Sequence, residues 1–279
     1  MNPYLDINAL LPILVEWLGV IAVTLILTLS PAFKRRPLIF KYPLREGIVA
    51  TVLFVVLVGG LALAFSYPQF RLTVLQGAAQ IHLPWRWVAS GMSLRLLPAG
   101  SNQYTQDDLI RQLTISGLSL APFAVVLLVR QQPLLSTGLG RQTLRPAITL
   151  GIALGFLSIF LRGKIYSLIN AIGPAQVNYL VAMAAVGFVE EVIFRGFIQL
   201  RLTAWLGQRW GWVLTAVAFA LYHIPSRLLV EHVSLSLLGF SLIMPLLFGL
   251  LQGWIMQKTG NIAGLAIYHA IHNWLAILP

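Results

Sequence analysis

Three short polar motifs interrupt otherwise apolar stretches of this 279-residue chain. In chain order they are Glu190-Glu191-x-x-x-Arg195, Phe219-x-x-x-His223 and His269-x-x-x-Asn273. A carboxylate, an imidazole and a carboxamide are the groups that can activate a water molecule, move its proton and stabilise an oxyanion. If the fold brings the three motifs together, they could hydrolyse an amide bond.

The two adjacent glutamates differ in what the sequence provides for them. At about 100° per residue of α-helix, Glu191 and Arg195 share a face and form an i, i+4 ion pair. Glu190 points about 100° away from Glu191 and is not neutralised by the same arginine. A carboxylate without a partner in an apolar site is suited to accept a proton as a general base. We therefore interpret Glu190 as functional and the pair of Glu191 and Arg195 as structural.

The histidines are less specific when each is taken alone. His223 comes near the end of an apolar stretch, just before Pro225, where a single histidine is more often a packing residue. His269 and Asn273 lie one turn apart on one helical face and could donate two hydrogen bonds to a developing oxyanion. His272 lies about 60° from His269 and could face another helix or water at the lipid edge.

The composition indicates a membrane protein. Of the residues, 58% are apolar and only 10% are charged, whereas a soluble domain has about a quarter charged residues. The formal net charge is +11, but the basic residues stand at the ends of apolar runs. This placement predicts contact with an anionic lipid surface and argues against nucleic acid as a partner. The absence of cysteine excludes disulfides, thiolate nucleophiles and cysteine-ligated zinc.

Eight apolar runs are long enough to cross the roughly 30 Å hydrocarbon core as helices. They cover approximately residues 7–30, 47–66, 113–129, 147–161, 176–200, 210–224, 233–256 and 262–278. The sequence therefore predicts an all-α membrane protein with about eight transmembrane helices in one bundle and its polar residues in an intramembrane cavity. Residues 68–111 mix basic and aromatic side chains, which predicts an interfacial helix and a loop.

Other designs of intramembrane protease find no match in the sequence. It has no His-Glu-x-x-His zinc motif, no aspartate within a predicted span and no convincing Gly-x-Ser nucleophile. The set of glutamate and histidine residues remains. Glu16 is a further acid within a predicted span, and its simplest interpretation is a wetted or interfacial side chain of the first helix.

The three motifs, in this order, resemble those of the CPBP family of intramembrane endopeptidases. This family includes CAAX-processing and bacteriocin-processing enzymes, type II CAAX prenyl endopeptidase-like proteins and abortive-infection proteins. The run from Phe248 to Trp254, followed by Thr259-Gly260-Asn261, also resembles the family's penultimate helix and turn. The resemblance implies an N-terminal transmembrane and interfacial region at residues 1–133 and a protease core at residues 134–279.

The resemblance also implies a role for each polar residue of the motifs. By analogy, the water would be activated by Glu190 with His223, the oxyanion held by His269 and Asn273, and the site braced by Glu191 and Arg195. The implied activity is hydrolysis of a peptide bond in a membrane-associated or lipidated protein or peptide. The implied partners are membrane lipid and that substrate, and the compact form favours a prokaryotic plasma membrane.

The sequence leaves the metal dependence open. Glu190, His223 and His269 could supply a two-histidine, one-glutamate zinc site with an open position for water. A metal-free route is favoured, because an asparagine is an ordinary oxyanion donor but an unusual neighbour of zinc.

Two other functions remain as alternatives. The first is a non-catalytic membrane scaffold or regulator that keeps the protease fold and binds partner proteins. The second is a proton-coupled transporter that uses Glu16 and Glu190, although such proteins usually contain inverted repeats and none is visible in this sequence.

Overall fold

The computed structural model describes residues 7–33, 38–67, 104 and 106–278. Within these ranges the chain is almost entirely helical and contains no strand, which confirms the predicted all-α fold. The α-helices are α1 (Ile7–Thr28), α2 (Pro43–Ser66), α3 (Gln106–Val129), α4 (Arg141–Leu161), α5 (Ile165–Asn170), α6 (Pro174–Glu190), α7 (Leu200–Leu206), α8 (Gln208–Tyr222), α9 (Ile224–Leu229), α10 (Leu235–Thr259) and α11 (Ile262–Trp274). A π-helix, Glu191–Gln199, joins α6 to α7 without a break.

The described residues contain seven helical stretches that are long and apolar enough to cross a membrane, so the chain is a multi-pass membrane protein. The eighth predicted span, at residues 262–278, is shorter than expected. Its helix α11 has 13 residues, and a 3-10 turn continues it to Ile277. At 1.5 Å per residue, α11 is about 20 Å long, which is less than the thickness of the hydrocarbon core. The prediction of eight spans therefore becomes seven spans and one shorter apolar helix.

The predicted interfacial segment at residues 68–111 lies outside the described residues, except for Tyr104 and the beginning of α3. The helices before residue 134 pack against those after it. Val20, Ala50 and Phe123 from the first part share one buried hydrophobic cluster with Phe194 and Leu265 from the second. The boundary between residues 133 and 134 stays a prediction, and the two sides of it are held together by common apolar packing.

Helix α11 packs closely between α4 and α6. A Cβ atom added to Gly151 of α4 would lie 2.5 Å from the carbonyl oxygen of Gly264, and one added to Gly187 of α6 would lie 3.0 Å from that of Ala266. Glycine is needed at these crossings because the backbones approach each other with no room for a side chain. The close approach lets polar side chains on α11 reach partners on both neighbouring helices.

The turn before α11 fixes where that helix begins. Gly260 ends α10 in the left-handed conformation, with φ of 62°. Asn261 then caps α11, because its side chain accepts a hydrogen bond from the backbone nitrogen of Ala263 at 3.0 Å. The Nδ2 atom of Asn261 donates to the carbonyl oxygen of Gly140 at 2.8 Å. The start of α11 is thus tied to the start of α4.

Candidate active site

The acidic motif lies where an α-helix changes into a π-helix. Glu190 is the last residue of α6 and Glu191 is the first residue of the π-helix. The sequence pattern predicted an ordinary α-helix here, so the wider i→i+5 hydrogen bonding is a difference that only the structure reveals. All nine residues of the π-helix are buried, including Arg195. Single π-helical turns are frequent at functional sites.

Glu191, Arg195 and His269 form a buried, hydrogen-bonded group. Arg195 Nη1 donates to Glu191 Oε1 at 3.1 Å, so the ion pair predicted from the sequence is present. The same carboxylate oxygen lies 2.8 Å from Nδ1 of His269. The guanidinium of Arg195 also donates to the carbonyl oxygen of Gly249 at 3.4 Å and lies 4.4 Å from the ring centroid of Phe219. These contacts hold Glu191 and Arg195 in one position.

Glu190 has a different environment, although it is adjacent in sequence. Its Oε2 atom lies 3.6 Å from Nε2 of His269, which is too long for a hydrogen bond. About 11% of its side chain is exposed, against 0% for Glu191. His269 therefore stands between two carboxylates, with one facing each ring nitrogen. Of the two carboxylates, only that of Glu190 is partly exposed.

His223 lies at the junction of α8 and α9, next to this group. Its Nδ1 atom is 2.8 Å from the carbonyl oxygen of Phe219. Because a carbonyl only accepts hydrogen bonds, Nδ1 carries a proton, and Nε2 is left as an acceptor when the ring is neutral. The ring of Phe219 contacts the His223 ring at 4.9 Å and the His269 ring at 6.2 Å between centroids. No hydrogen bond or ion pair among the described residues joins His223 directly to Glu190.

Asn273 lies one turn after His269 on the same face of α11 and is half-buried. In the described part of the chain its side chain makes no hydrogen bond, so the helix backbone alone sets where its Cα–Cβ bond points. The structure thus brings Glu190, Glu191, Arg195 and His269 into contact. It places His223 and Asn273 beside them.

Comparison with known protein families gives a match to the part of the chain that contains these motifs. Residues 173–275 match the family described as type II CAAX prenyl endopeptidase Rce1-like. This region is Rce1-like. The resemblance inferred from the motifs is thereby confirmed for the region, and the resemblance of residues 134–172 stays a prediction. No curated protein and no solved structure matches the chain.

Three aromatic residues of the Rce1-like region pack around the site, although the sequence did not predict a role for them. Phe219 lies against both histidines and Arg195, and its spacing of four residues from His223 was the available signal. The ring centroid of Phe248 lies 4.8 Å from that of His269. Tyr222 is close enough to Glu190 for an electrostatic interaction. Phe248 was marked in the sequence only as the first residue of the run that resembles the family's penultimate helix, and Tyr222 does not stand out in a chain with this many aromatic residues.

The interpretation of Glu16 as a wetted or interfacial acid is wrong. Its side chain is fully buried and accepts hydrogen bonds from Ser158 Oγ at 2.7 Å, Arg162 Nε at 2.5 Å and Tyr268 Oη at 3.0 Å. Two of these donors precede the Rce1-like region, and the third lies near its end. A helical pattern does not show partners that are so distant in the chain.

The zinc site considered from the sequence does not fit this arrangement. Among the described residues, no group of three or more histidine or acidic side chains is placed to hold a metal ion. Glu190 and His269 approach each other, whereas His223 directs Nδ1 to a backbone carbonyl, and no hydrogen bond or ion pair of the described residues joins it to the other two. The preference for a metal-free route, which came from the sequence, nevertheless stays a prediction.

Proposed function

We propose that this protein is an intramembrane endopeptidase in which Glu190 activates the attacking water. One observation carries the proposal: Glu190 is the buried glutamate of the described residues that makes no hydrogen bond, and it faces His269 at 3.6 Å. A buried carboxylate without a hydrogen bond costs stability, so its presence calls for a functional reason. The Rce1-like match supports the same reaction class.

The reaction needs two proton transfers, and the site has groups for both. Glu190 takes a proton from water as the water oxygen forms a bond to the peptide carbonyl carbon. The tetrahedral oxyanion then collapses, the C–N bond breaks, and the proton on Glu190 passes to the leaving nitrogen. The products are a carboxylic acid, which keeps the second hydrogen of the water, and an amine. Proton exchange between them gives a carboxylate and an ammonium, and Glu190 is regenerated. Before attack, the free Nε2 of His223 accepts a hydrogen bond from the second hydrogen of the water and orients the molecule.

The oxyanion is stabilised from α11. His269 Nδ1 donates to Glu191, and a second proton on Nε2 makes the ring an imidazolium that faces the reacting atoms. Glu190, Glu191 and Arg195 together carry one net negative charge, so a charged His269 makes the buried group neutral. Asn273 supplies a second donor from the same helical face. Glu191 and Arg195 act as the brace that orients the imidazole.

We further propose that the substrate carries a prenylated cysteine close to its C-terminus. The proposal draws on the description of the matched family as CAAX prenyl endopeptidases. A prenyl chain would partition into the hydrocarbon around the spans and bring the adjacent peptide bond to a buried site. We place this activity in the plasma membrane of a prokaryote, which membrane fractionation of the source cell would test.

The experiment uses the purified protein in lipid nanodiscs and a quenched fluorescent peptide that ends in a farnesylated cysteine followed by three residues. We expect Glu190→Gln to lower kcat by about 10³-fold, because the general base is lost. The control is Leu18→Ala, since Leu18 is 68% exposed on α1 and should leave cleavage unchanged. Full cleavage by Glu190→Gln would reject Glu190 as the base.

The same assay separates the alternatives. The peptide without the farnesyl group should be cleaved poorly, and equal cleavage would reject the lipid requirement. We expect 1,10-phenanthroline to leave kcat unchanged, whereas a loss that added zinc restores would favour the metal route. A wild-type protein that cleaves nothing, with a cellular phenotype that Glu190→Gln does not alter, would favour the scaffold.

A further inference from the structure

A second buried polar group lies on the side of α11 away from Glu190. We call it the Glu16 cluster, and its members are Glu16, Ser158, Arg162, Tyr268 and His272. Glu16 comes from α1, outside the Rce1-like region, and accepts three hydrogen bonds from residues on and beside α4 and α11. Its Oε1 atom also lies 3.1 Å from Nδ1 of His272. The proposed reaction uses none of these side chains.

The Glu16 cluster caps the C-terminal end of α11. Arg162 Nη1 donates to the backbone carbonyl oxygen of His272 at 3.2 Å. Carbonyl groups in the last turn of a helix have no partner within the helix, and a positive charge there is favourable. Glu16 holds the other side of the same guanidinium at Nε. The capped carbonyl belongs to the residue immediately before Asn273.

Helix α11 therefore has two neighbouring polar stripes that face different helices. Tyr268 and His272 face Glu16, whereas His269 and Asn273 lie on the adjacent stripe, about 100° around the helix. The ring centroid of Phe248 lies 4.8 Å from that of His269 and 4.7 Å from that of His272, so one ring packs against both stripes. The rotation of α11 about its axis is set by Glu191 on one side and by Glu16 on the other.

We propose that Glu16 is a positioning residue for the site of the proposed function. Through Arg162, Tyr268 and His272 it fixes the last turn of α11, and so it fixes the backbone position from which the otherwise unbonded side chain of Asn273 extends. This inference rests on the proposed function and assigns part of the site's geometry to a helix that precedes the Rce1-like region.

The first experiment compares Glu16→Gln with the matched control Glu46→Gln in the farnesyl-peptide assay. Both glutamates are buried and pair with arginine, but the partners of Glu46 are Arg130, Gln132 and Arg201, away from α11. We expect Glu16→Gln to lower kcat by about 10- to 100-fold with KM within about twofold, as for a misplaced donor. Glu46→Gln should keep kcat within about twofold at a temperature where both variants are folded. Equal losses in both variants would overturn the inference.

A double-mutant cycle tests whether Glu16 acts through Asn273. If it does, adding Glu16→Gln to Asn273→Ala should lower kcat by less than about twofold further, because the group that it positions is already absent. Independent losses that multiply would assign Glu16 a general role in stability and overturn the proposal.

A spectroscopic test does not depend on cleavage. Trp274 follows Asn273 and donates from Nε1 to the carbonyl oxygen of Gln176 at 2.8 Å. In protein labelled with 5-fluorotryptophan, the ¹⁹F resonance assigned by Trp274→Phe should shift in Glu16→Gln but not in Glu46→Gln. An unchanged resonance would contradict the positioning role.

The outcomes separate this inference from the proposed function. If Glu190→Gln abolishes cleavage and Glu16→Gln behaves like wild type, only the inference about Glu16 fails. If the wild-type protein cleaves no peptide while the Trp274 resonance still shifts, the proposed function fails, and the positioning role falls with it.

Discussion

Two buried acidic regions of this protein accommodate their charges in different ways. Around Glu46, one carboxylate accepts hydrogen bonds from Arg130, Gln132 and Arg201. Arg201 is fully buried, and its guanidinium also donates to the carbonyl oxygens of Ser136 and of Phe197, at 3.1 Å each. Both carboxylate oxygens have donors, so this region has the features of a structural clamp between α2, α3 and α7.

Around Glu190 the carboxylate oxygens outnumber their hydrogen-bond donors. Two adjacent glutamates share one arginine, and Glu190 makes no hydrogen bond. In the part of the chain that the structure describes, Oε2 of Glu191 and Nε of Arg195 also have no hydrogen-bond partner. Incomplete hydrogen bonding of buried polar groups lowers stability and is retained mainly where function requires it. The two regions therefore differ in hydrogen bonding and not in burial: among the described residues, Glu46 is bonded at both carboxylate oxygens, whereas Glu190 is bonded at neither.

The largest effect on stability is expected at the structural clamp. Glu46→Ala should lower the free energy of unfolding by about 3 to 5 kcal/mol, because it leaves Arg201 buried without its carboxylate. The measurement is denaturant unfolding in detergent micelles, with Leu44→Ala as a control from the exposed face of the same helix turn. A loss below about 1 kcal/mol would mean that the clamp is not structural.

Substitutions of the two adjacent glutamates should change the free energy of unfolding by different amounts in the same measurement. Glu191→Gln should cost about 1.5 to 3 kcal/mol, since it weakens charged hydrogen bonds to Arg195 and His269. Glu190→Gln should cost less than about 1 kcal/mol, because Glu190 makes no hydrogen bond that the variant would lose. Both variants should lose peptidase activity. Equal stability losses in the two variants would remove the distinction between the brace and the base.

The smallest effect concerns the aromatic packing around the arginine. Phe219 and Phe248 are both buried and both contact histidine rings, but of the two only Phe219 also lies under the guanidinium of Arg195 in the described part of the chain. Phe219→Leu should therefore cost about 1 kcal/mol more than Phe248→Leu, which is the size of a buried cation–π interaction. Equal losses of unfolding free energy in the two variants would show that the ring of Phe219 does not stabilise Arg195.

Local periodicity made several features predictable. The ion pair of Glu191 and Arg195 followed from a spacing of four residues, and the all-α membrane fold followed from the length of the apolar runs. The order of the three motifs identified the Rce1-like region. Each of these features depends on neighbours in sequence or on composition.

Tertiary packing decided the rest. The contact between Glu191 and His269 joins residues 78 positions apart, and the one between Glu16 and Tyr268 joins residues 252 positions apart. Helical periodicity states which side chains share a face, but it does not state which helix that face meets. The sequence alone therefore established which groups are present in the membrane. Only the tertiary packing of α11 determined that His269 lies between the two adjacent glutamates and that Tyr268 reaches Glu16.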